Sequence, residues 1–381
     1  MALRYYIQSF ASTLSTNAEN NGFLSILLPM AMTDAPLMDT LVAWSTSHLA
    51  IRQQNVQVKA LEDRSVALRS FATNLRDLPP LTCLAICLVL TSMEAVLGNT
   101  LSWYSHLSAA ARIINSTVSP RLDDSSLASS LDSSAEGRWL LRNFSYHDIL
   151  ASVSRSRAML IPGLDFLGAD AIQVPDTYLG FGVPPMKLLG EINVLSQTLT
   201  NYENTSNTAS AAGDSSDAAE IAARLYAIEA ELRQWRADGS PDDPLIMLAD
   251  SYRSAILICL YRALRYHRLA DPTTATQQIQ AEVGEIVTRI TSLPHGSSPE
   301  CTLLFPLFMA GGEAQSTEHR AAIENRMETI AENREFQNLR EALDVLKEVW
   351  SVQSRTTAID PARPYDWTCV LERRQWDLAL S

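Results

Sequence analysis

The 381 residues contain five cysteines, and no two of them form a CxxC pair. A structural zinc site takes closely spaced thiolates, and a binuclear cluster takes six of them. Cys83, Cys87, Cys259, Cys301 and Cys369 are too scattered for either. A chain this long with so few cysteines also carries no disulfide framework, which suits a reducing compartment. Cys83 and Cys87 are four apart, with Leu84, Ile86, Leu88 and Val89 around them, so they read as small core residues. The signatures of catalysis are missing as well. There is no GxSxG, no HExxH and no phosphate-binding GxxxxGK[ST]. Gly180-Phe181-Gly182 opens a dinucleotide-type pattern, but Pro185 stands where its last glycine belongs. Asp123-Asp124 and Asp242-Asp243 lack the third acid of a metal-binding aspartate motif. No metal, no cofactor and no catalytic residue is therefore assigned.

Positive charge is also short. Thirty Lys and Arg stand against 43 Asp and Glu, a net charge of −13. Phosphate neutralisation supplies much of the affinity for nucleic acid, so direct DNA binding is not expected of this chain. Its most basic window, 142–157, still carries Asp148. Long hydrophobic runs are missing too. The most apolar window, Leu81 to Leu97, is broken by Thr82, Thr91, Ser92 and Glu94, and reads as a buried core helix, not a membrane span. Gln8, Ser9 and Ser12 interrupt the first apolar residues, so no secretory signal is read there. Asn115-Ser116-Thr117 and Asn143-Phe144-Ser145 are discounted as glycosylation sites for the same reason. A soluble, intracellular protein is expected.

What is present is helical periodicity. Apolar residues recur at i, i+3, i+4, i+7 almost throughout, and no stretch alternates convincingly over strand length. Thr33 and Asp34 are candidate caps for a helix from about Pro36, whose stripe includes Leu37, Leu41, Trp44 and His48. A second helix, about Val56 to Leu75, places Leu61, Leu68, Phe71 and Leu75 on one side. Pro79-Pro80 stops the chain, and the core helix after it ends at Gly98. Leu101 to Ile114 makes another. Beyond residue 220, helices are predicted over Ile221–Trp235, Leu245–Leu269, Thr274–Ile290, 303–315, Glu318–Ala331, Phe336–Trp350 and near Tyr365–Leu378. The Ser- and Asp-rich stretches at about 116–137 and 204–220 are expected to be mobile surface loops. Between them, 161–185 is rich in Gly and Pro yet apolar, and reads as an ordered strap across the core. The predicted fold class is all-α, a compact array of antiparallel helical hairpins without substantial sheet, in a single domain spanning 1–381.

Four motifs then follow one another. Tyr5, Tyr6 and Phe10 precede SILLPMAMTDAPLMDTLVAWSTSHLA (25–50). Trp103 is followed by His106-Leu107 and Ala110-Ala111-Arg112. RNFSYHDILAS occupies 142–152. PLFMAGGEA (306–314) leads through Arg320 to Val349-Trp350, with Asp366-Trp367 beyond. In this order they resemble the fungal-specific transcription factor domain, the all-helical regulatory region that usually lies behind a zinc binuclear-cluster DNA-binding domain. The chain departs from that arrangement in lacking the six-cysteine cluster. The resemblance implies a nuclear regulator acting through protein contacts or small-molecule sensing, without its own DNA-binding module. A homodimer, other regulatory proteins and a small hydrophobic ligand are the partners it suggests. No Lys/Arg-rich import signal is present, so without the resemblance the cytoplasm is the default. The alternative is an enzyme of a fungal secondary-metabolite pathway that recruited the scaffold to bind and cyclise or isomerise a hydrophobic intermediate.

The candidate ligand-binding residues come from these motif helices: Trp44, His48, Trp103, His106, Tyr146, Gly312 and Glu313. Trp44 with His48 and Trp103 with His106 are at i,i+4 and i,i+3, so each pair shares a helix face. Gly311 and Gly312 each cost a helix about 1 kcal/mol relative to Ala, which close approach of a helix or a ligand would offset. The same residues can equally form a packed core with bonded histidines. Glu94 and Glu313, in apolar helices, need partners, and Arg112 or Arg142 are the candidates. Tyr252, Arg253, Tyr261, Arg262 and Tyr266 form an aromatic–arginine stretch suited to stacking.

Overall fold

Three helices open with the same device, an aspartate followed within two residues by proline. Asp34, Asp243 and Asp271 accept hydrogen bonds from the N–H groups of Leu37, Leu245 and Thr274 at 3.1, 2.9 and 2.9 Å. Each carboxylate satisfies a first-turn donor, while the proline fills a position whose N–H has no helical partner. In the computed structural model, which describes residues 1–118, 131, 133–162, 175–206, 215–355 and 360–381, helix dominates and no strand occurs among those residues.

In chain order the helices begin with α1 (2–13) and α2 (Phe23–Thr33), each containing a π-helical turn. They continue with α3 (Ala35–Arg52), α4 (Gln57–Asn74), α5 (Pro80–Val96), α6 (Trp103–Val118) and α7 (Ala135–Arg155). After these come α8 (Val183–Ser206), α9 (Ser215–Gln234), α10 (Pro244–Tyr266) and α11 (Pro272–Ser292). The last are α12 (Leu304–Glu313), α13 (Thr317–Arg334), α14 (Gln337–Gln353) and α15 (Trp367–Arg374). The strongest neighbour pairings are α3 with α4, α5 with α6, and α10 with α11, with α13 against α14 as a further hairpin. The fold is therefore the all-α hairpin array that the periodicity predicts. One buried apolar cluster runs from Tyr6 to Leu380. Every residue of α12 is buried, with α10, α11, α13 and α14 packed around it.

Several expectations need correction. Of the stripe expected on α4, Phe71 packs against the core, but Leu61, Leu68 and Leu75 face solvent; the helix sits on α3 through Ala60, Asp63 and Ala67. Small residues let α4 approach α3 closely, and that contact outweighs the larger apolar stripe. Helix extends into both stretches read as loops: α6 reaches Val118, α7 starts at Ala135, α8 runs to Ser206 and α9 starts at Ser215. Ser134 belongs to a cap, accepting from Gly137 N–H at 2.9 Å, which is a common use for serine before a helix. Residues 119–130, 132 and 207–214 lie outside the described residues, as do 163–174 of the strap. Its remainder, 175–182, is a tight turn closed by paired Asp176 and Gly180 backbones, after which α8 begins, a helix the sequence reading did not contain. Among the described helices α10, not the 81–97 segment, is long and apolar enough to suit a membrane, yet 72% of its most apolar window is buried inside the protein.

Candidate functional site

A cavity of about 40 Å³ lies in the core where α3, α5, α7 and the 298–302 turn meet. Trp44 and Tyr146 line it, so two of the seven sequence candidates come together. Tyr178, from the 175–182 turn, lines it too and stacks on Tyr146 at 5.0 Å. The Tyr146 and Tyr252 hydroxyls are 3.3 Å apart, and Tyr252 donates to the Thr302 carbonyl at 2.8 Å. Burial pushes the phenols of Tyr146, Tyr178 and Tyr252 up, so they serve as neutral hydrogen-bonding groups.

His147 supplies the polar wall. Its Nε2 is 3.2 Å from Ser92 Oγ and its Nδ1 2.6 Å from Ser381 Oγ. Burial lowers its pKa to about 3, so the ring is neutral and bonded on both nitrogens. Asn338 donates to the Ser381 carbonyl at 3.1 Å. Asn338 Oδ1 and Thr302 Oγ1, on residues that line the cavity, have no hydrogen-bond partner. Both residues are buried, so a polar guest would relieve a real cost. Ser92, His147, Thr302 and Asn338 were missed as site residues. His147 adjoins a nominated tyrosine, but nothing in the sequence marks Thr302 or Asn338, which reach the cavity through long-range packing.

The other candidates sit elsewhere. His48 accompanies Trp44 as the i,i+4 spacing requires, but Phe10 of α1 fills the face they share. Phe10 lies face-on to His48 at 4.2 Å and edge-on to Trp44 at 5.1 Å. His48 also bonds Tyr5 Oη at 2.8 Å and the Arg334 carbonyl at 2.9 Å, and burial lowers its pKa to about 4. Trp103 donates to the Asp377 carbonyl at 2.6 Å, and half-buried His106 lies away from the cavity.

Gly312 and Glu313 belong to a separate packed cluster. A Cβ at Gly311 would lie 2.6 Å from Leu346 Cδ1, and one at Gly312 would lie 2.5 Å from Trp367 Cζ3. Neighbouring side chains thus fill the glycine step, with the Trp367 indole against Gly312. The Arg262 guanidinium lies 3.8 Å from the Trp367 ring centroid and pairs with both Asp366 and Glu313. Arg265 completes the cluster, 2.9 Å from Glu313 Oε1. The ion pair expected for Glu313 is therefore present with Arg262 and Arg265, not Arg112 or Arg142. Glu94 likewise pairs with Arg64, and with Asn99 at 2.6 Å. A third buried acid, Glu300, lies 2.9 Å from Arg326 Nη2 and 3.7 Å from Arg334 Nε. Among the described residues no group of His, Cys, Asp and Glu is placed to hold a metal ion.

Comparison with known proteins extends this picture. The family model described as "Fungal specific transcription factor domain" matches residues 1–381. An uncharacterised transcriptional regulatory protein of Schizosaccharomyces pombe is 23% identical over 98% of this chain and 70% of its own length. Transcription factor iacI of Pestalotiopsis fici is 24% identical, covering 83% of the chain and 77% of that protein. The transcriptional activator protein UGA3 of Saccharomyces cerevisiae is 21% identical, covering 91% and 72%. No solved structure matches.

Proposed function

Because the chain belongs to the fungal-specific transcription factor domain family, we propose that residues 1–381 act as one regulatory domain that sets transcriptional output in the nucleus through contacts with other proteins. Its relatives are transcriptional regulators, which gives the chain a regulatory role. The observation carrying the finer reading is the fate of the buried charges. Glu94 and Glu313 are bound to arginines away from the cavity, and Glu300, the one of the three that lines it, is held by Arg326 and Arg334. A net charge of −13 supports protein contacts over contacts with DNA phosphates through these residues. The test is to fuse residues 1–381 to a heterologous DNA-binding module in a fungal reporter strain. Output should differ from that of the module alone; equal output in every growth condition would defeat the proposal.

One observation favours a second reading, small-molecule sensing at the cavity. The unpaired Asn338 Oδ1 and the Thr302 hydroxyl, on residues that line the cavity, support a polar guest there. About 40 Å³ admits a few waters or a ligand of very few heavy atoms, whereas drug-sized ligands take about 300–1,000 Å³. A larger hydrophobic ligand would have to displace part of the wall, such as the 376–381 segment. That limited volume supports regulation over cyclisation of a hydrophobic intermediate. Native mass spectrometry of protein from its own host tests the sensing reading, through co-purifying mass.

A further inference from the structure

Helix α4 turns Phe71 toward the core but leaves a line of leucines, ending at Leu75 just past its last turn, in solvent. Leu61, Leu68 and Leu75 are 64%, 47% and 51% exposed, and Val58 is 70% exposed. The three leucines are spaced by seven, with Val58, Ser65 and Ala72 three residues before each, which is the a/d pattern of a coiled-coil seam. Ala60, Asp63 and Ala67, the residues α4 buries, lie about 100° or more round the helix from the leucines that follow them. The helix therefore has a small-residue face turned inward and a leucine seam turned outward.

We propose that this seam binds a second copy of the chain, α4 against α4, in an antiparallel two-helix contact. The layers close on themselves. With the two helices antiparallel, Val58 meets Leu75 of the other copy, Leu61 meets Ala72 and Ser65 meets Leu68, each pair occurring twice about the two-fold axis. A large side chain faces a smaller one in every layer, so the seams interdigitate. Flanking charge fixes the direction. In this alignment Glu62 lies beside Arg69 of the other copy, again twice. A parallel alignment would instead set Arg64 near Arg69, like against like. Arg64 is in any case held inward by Glu94, whereas Glu62 and Arg69 lie on the exposed side of α4. Alternation of large and small layers together with this charge match selects a self-complementary partner over an unrelated helix.

Sedimentation velocity on the full chain tests the contact. The wild type should sediment as a species of twice the 42.0 kDa chain mass at about 100 µM. Leu68→Glu should weaken dimerisation about 100-fold or more while leaving the helical circular dichroism signal unchanged, because Leu68 touches solvent in the monomer. Glu62→Arg and Arg69→Glu should each weaken it about tenfold, and the two together should restore it to within about threefold. A monomeric wild type at about 100 µM, a dimer indifferent to Leu68→Glu, or a double charge reversal that fails to restore association would each overturn the proposal.

Discussion

Replacing Gly312 by Ala sets two effects of opposite sign against each other. Intrinsic propensity favours Ala over Gly in a helix by about 1 kcal/mol, and by less at Gly312, one residue from the end of α12. Against this stands the new methyl, which would lie 2.5 Å from Trp367 Cζ3 and 2.6 Å from Cε3. Carbon atoms in contact prefer about 3.5–4.0 Å, so the indole must shift by roughly 1 Å. It has little freedom to do so. Trp367 is 2% exposed, Phe308 meets it edge-on at 5.3 Å, and Arg262, fixed by Asp366 and Glu313, lies 3.8 Å from the ring centroid. Overpacking of this kind costs about 1–3 kcal/mol, so the clash should win and leave a net loss of about 1–2 kcal/mol. Urea unfolding followed by tryptophan fluorescence would read this as a lower midpoint at unchanged slope. Trp367→Leu should make room for the methyl, so in that background Gly312→Ala should be neutral or stabilising, a coupling of at least about 1 kcal/mol. A Gly312→Ala protein as stable as wild type, or an equal loss in both backgrounds, would refute the packing account.

Acidification should destabilise the fold in a defined window. His48 and His147 have pKa values lowered by burial to about 4 and about 3, against 6.5 for an unconstrained histidine. Between these values and 6.5 the unfolded chain binds more protons, so their contribution is complete above pH 6.5 and lost as pH falls toward 4. His48 alone should account for about 3 kcal/mol of the loss. Urea midpoints measured across that range, compared with those of His48→Gln, would check it, since the variant should show a shallower pH dependence. Glu300→Gln leaves the buried Arg326 and Arg334 without their carboxylate and should cost about 3–5 kcal/mol in the same unfolding assay. Thr302→Val removes a buried hydroxyl that has no partner and should leave stability unchanged or raise it by up to about 1 kcal/mol; a clear loss by calorimetry would mean that the hydroxyl is bonded.

The features that could be read from sequence were those set by neighbours in the chain. Asp34 and Pro36 mark the start of α3, and Pro79-Pro80 and Gly98 bracket α5, because caps and breakers act within a turn. The Gly311-Gly312 step announced a close approach, yet could not name Leu346 or Trp367 as what approaches. Partners fixed by tertiary contact were misassigned: Glu94 found Arg64, and Glu313 found Arg262. The stripe on α4 has the period of a core face, but period alone does not say which of two apolar faces turns inward. Helix α8 was missed because a Gly/Pro-rich strap runs straight into it and an Asn/Ser-rich stretch follows. At the cavity, Trp44 and Tyr146 were found as aromatic anchors of their helices, while Thr302 and Asn338 matter through unpaired atoms that no sequence pattern carries.

Arg334 donates to the Thr13 carbonyl across 321 residues, and His48 reaches the carbonyl of the same arginine across 286. Residues 377–381 are stitched to Thr100, Trp103, Asn338 and His147. On a ribosome adding roughly 5–20 residues per second, Thr13 waits on the order of 15–65 s for Arg334 to appear. The α3–α4 and α5–α6 hairpins can form during that interval, but the bonds joining Arg334 to Thr13 and His48 cannot. Synthesis therefore passes through a partly closed chain whose first helices lack the contacts supplied by its last ones. Translation speed and chaperone supply, as much as final stability, should govern how much of this protein a cell obtains.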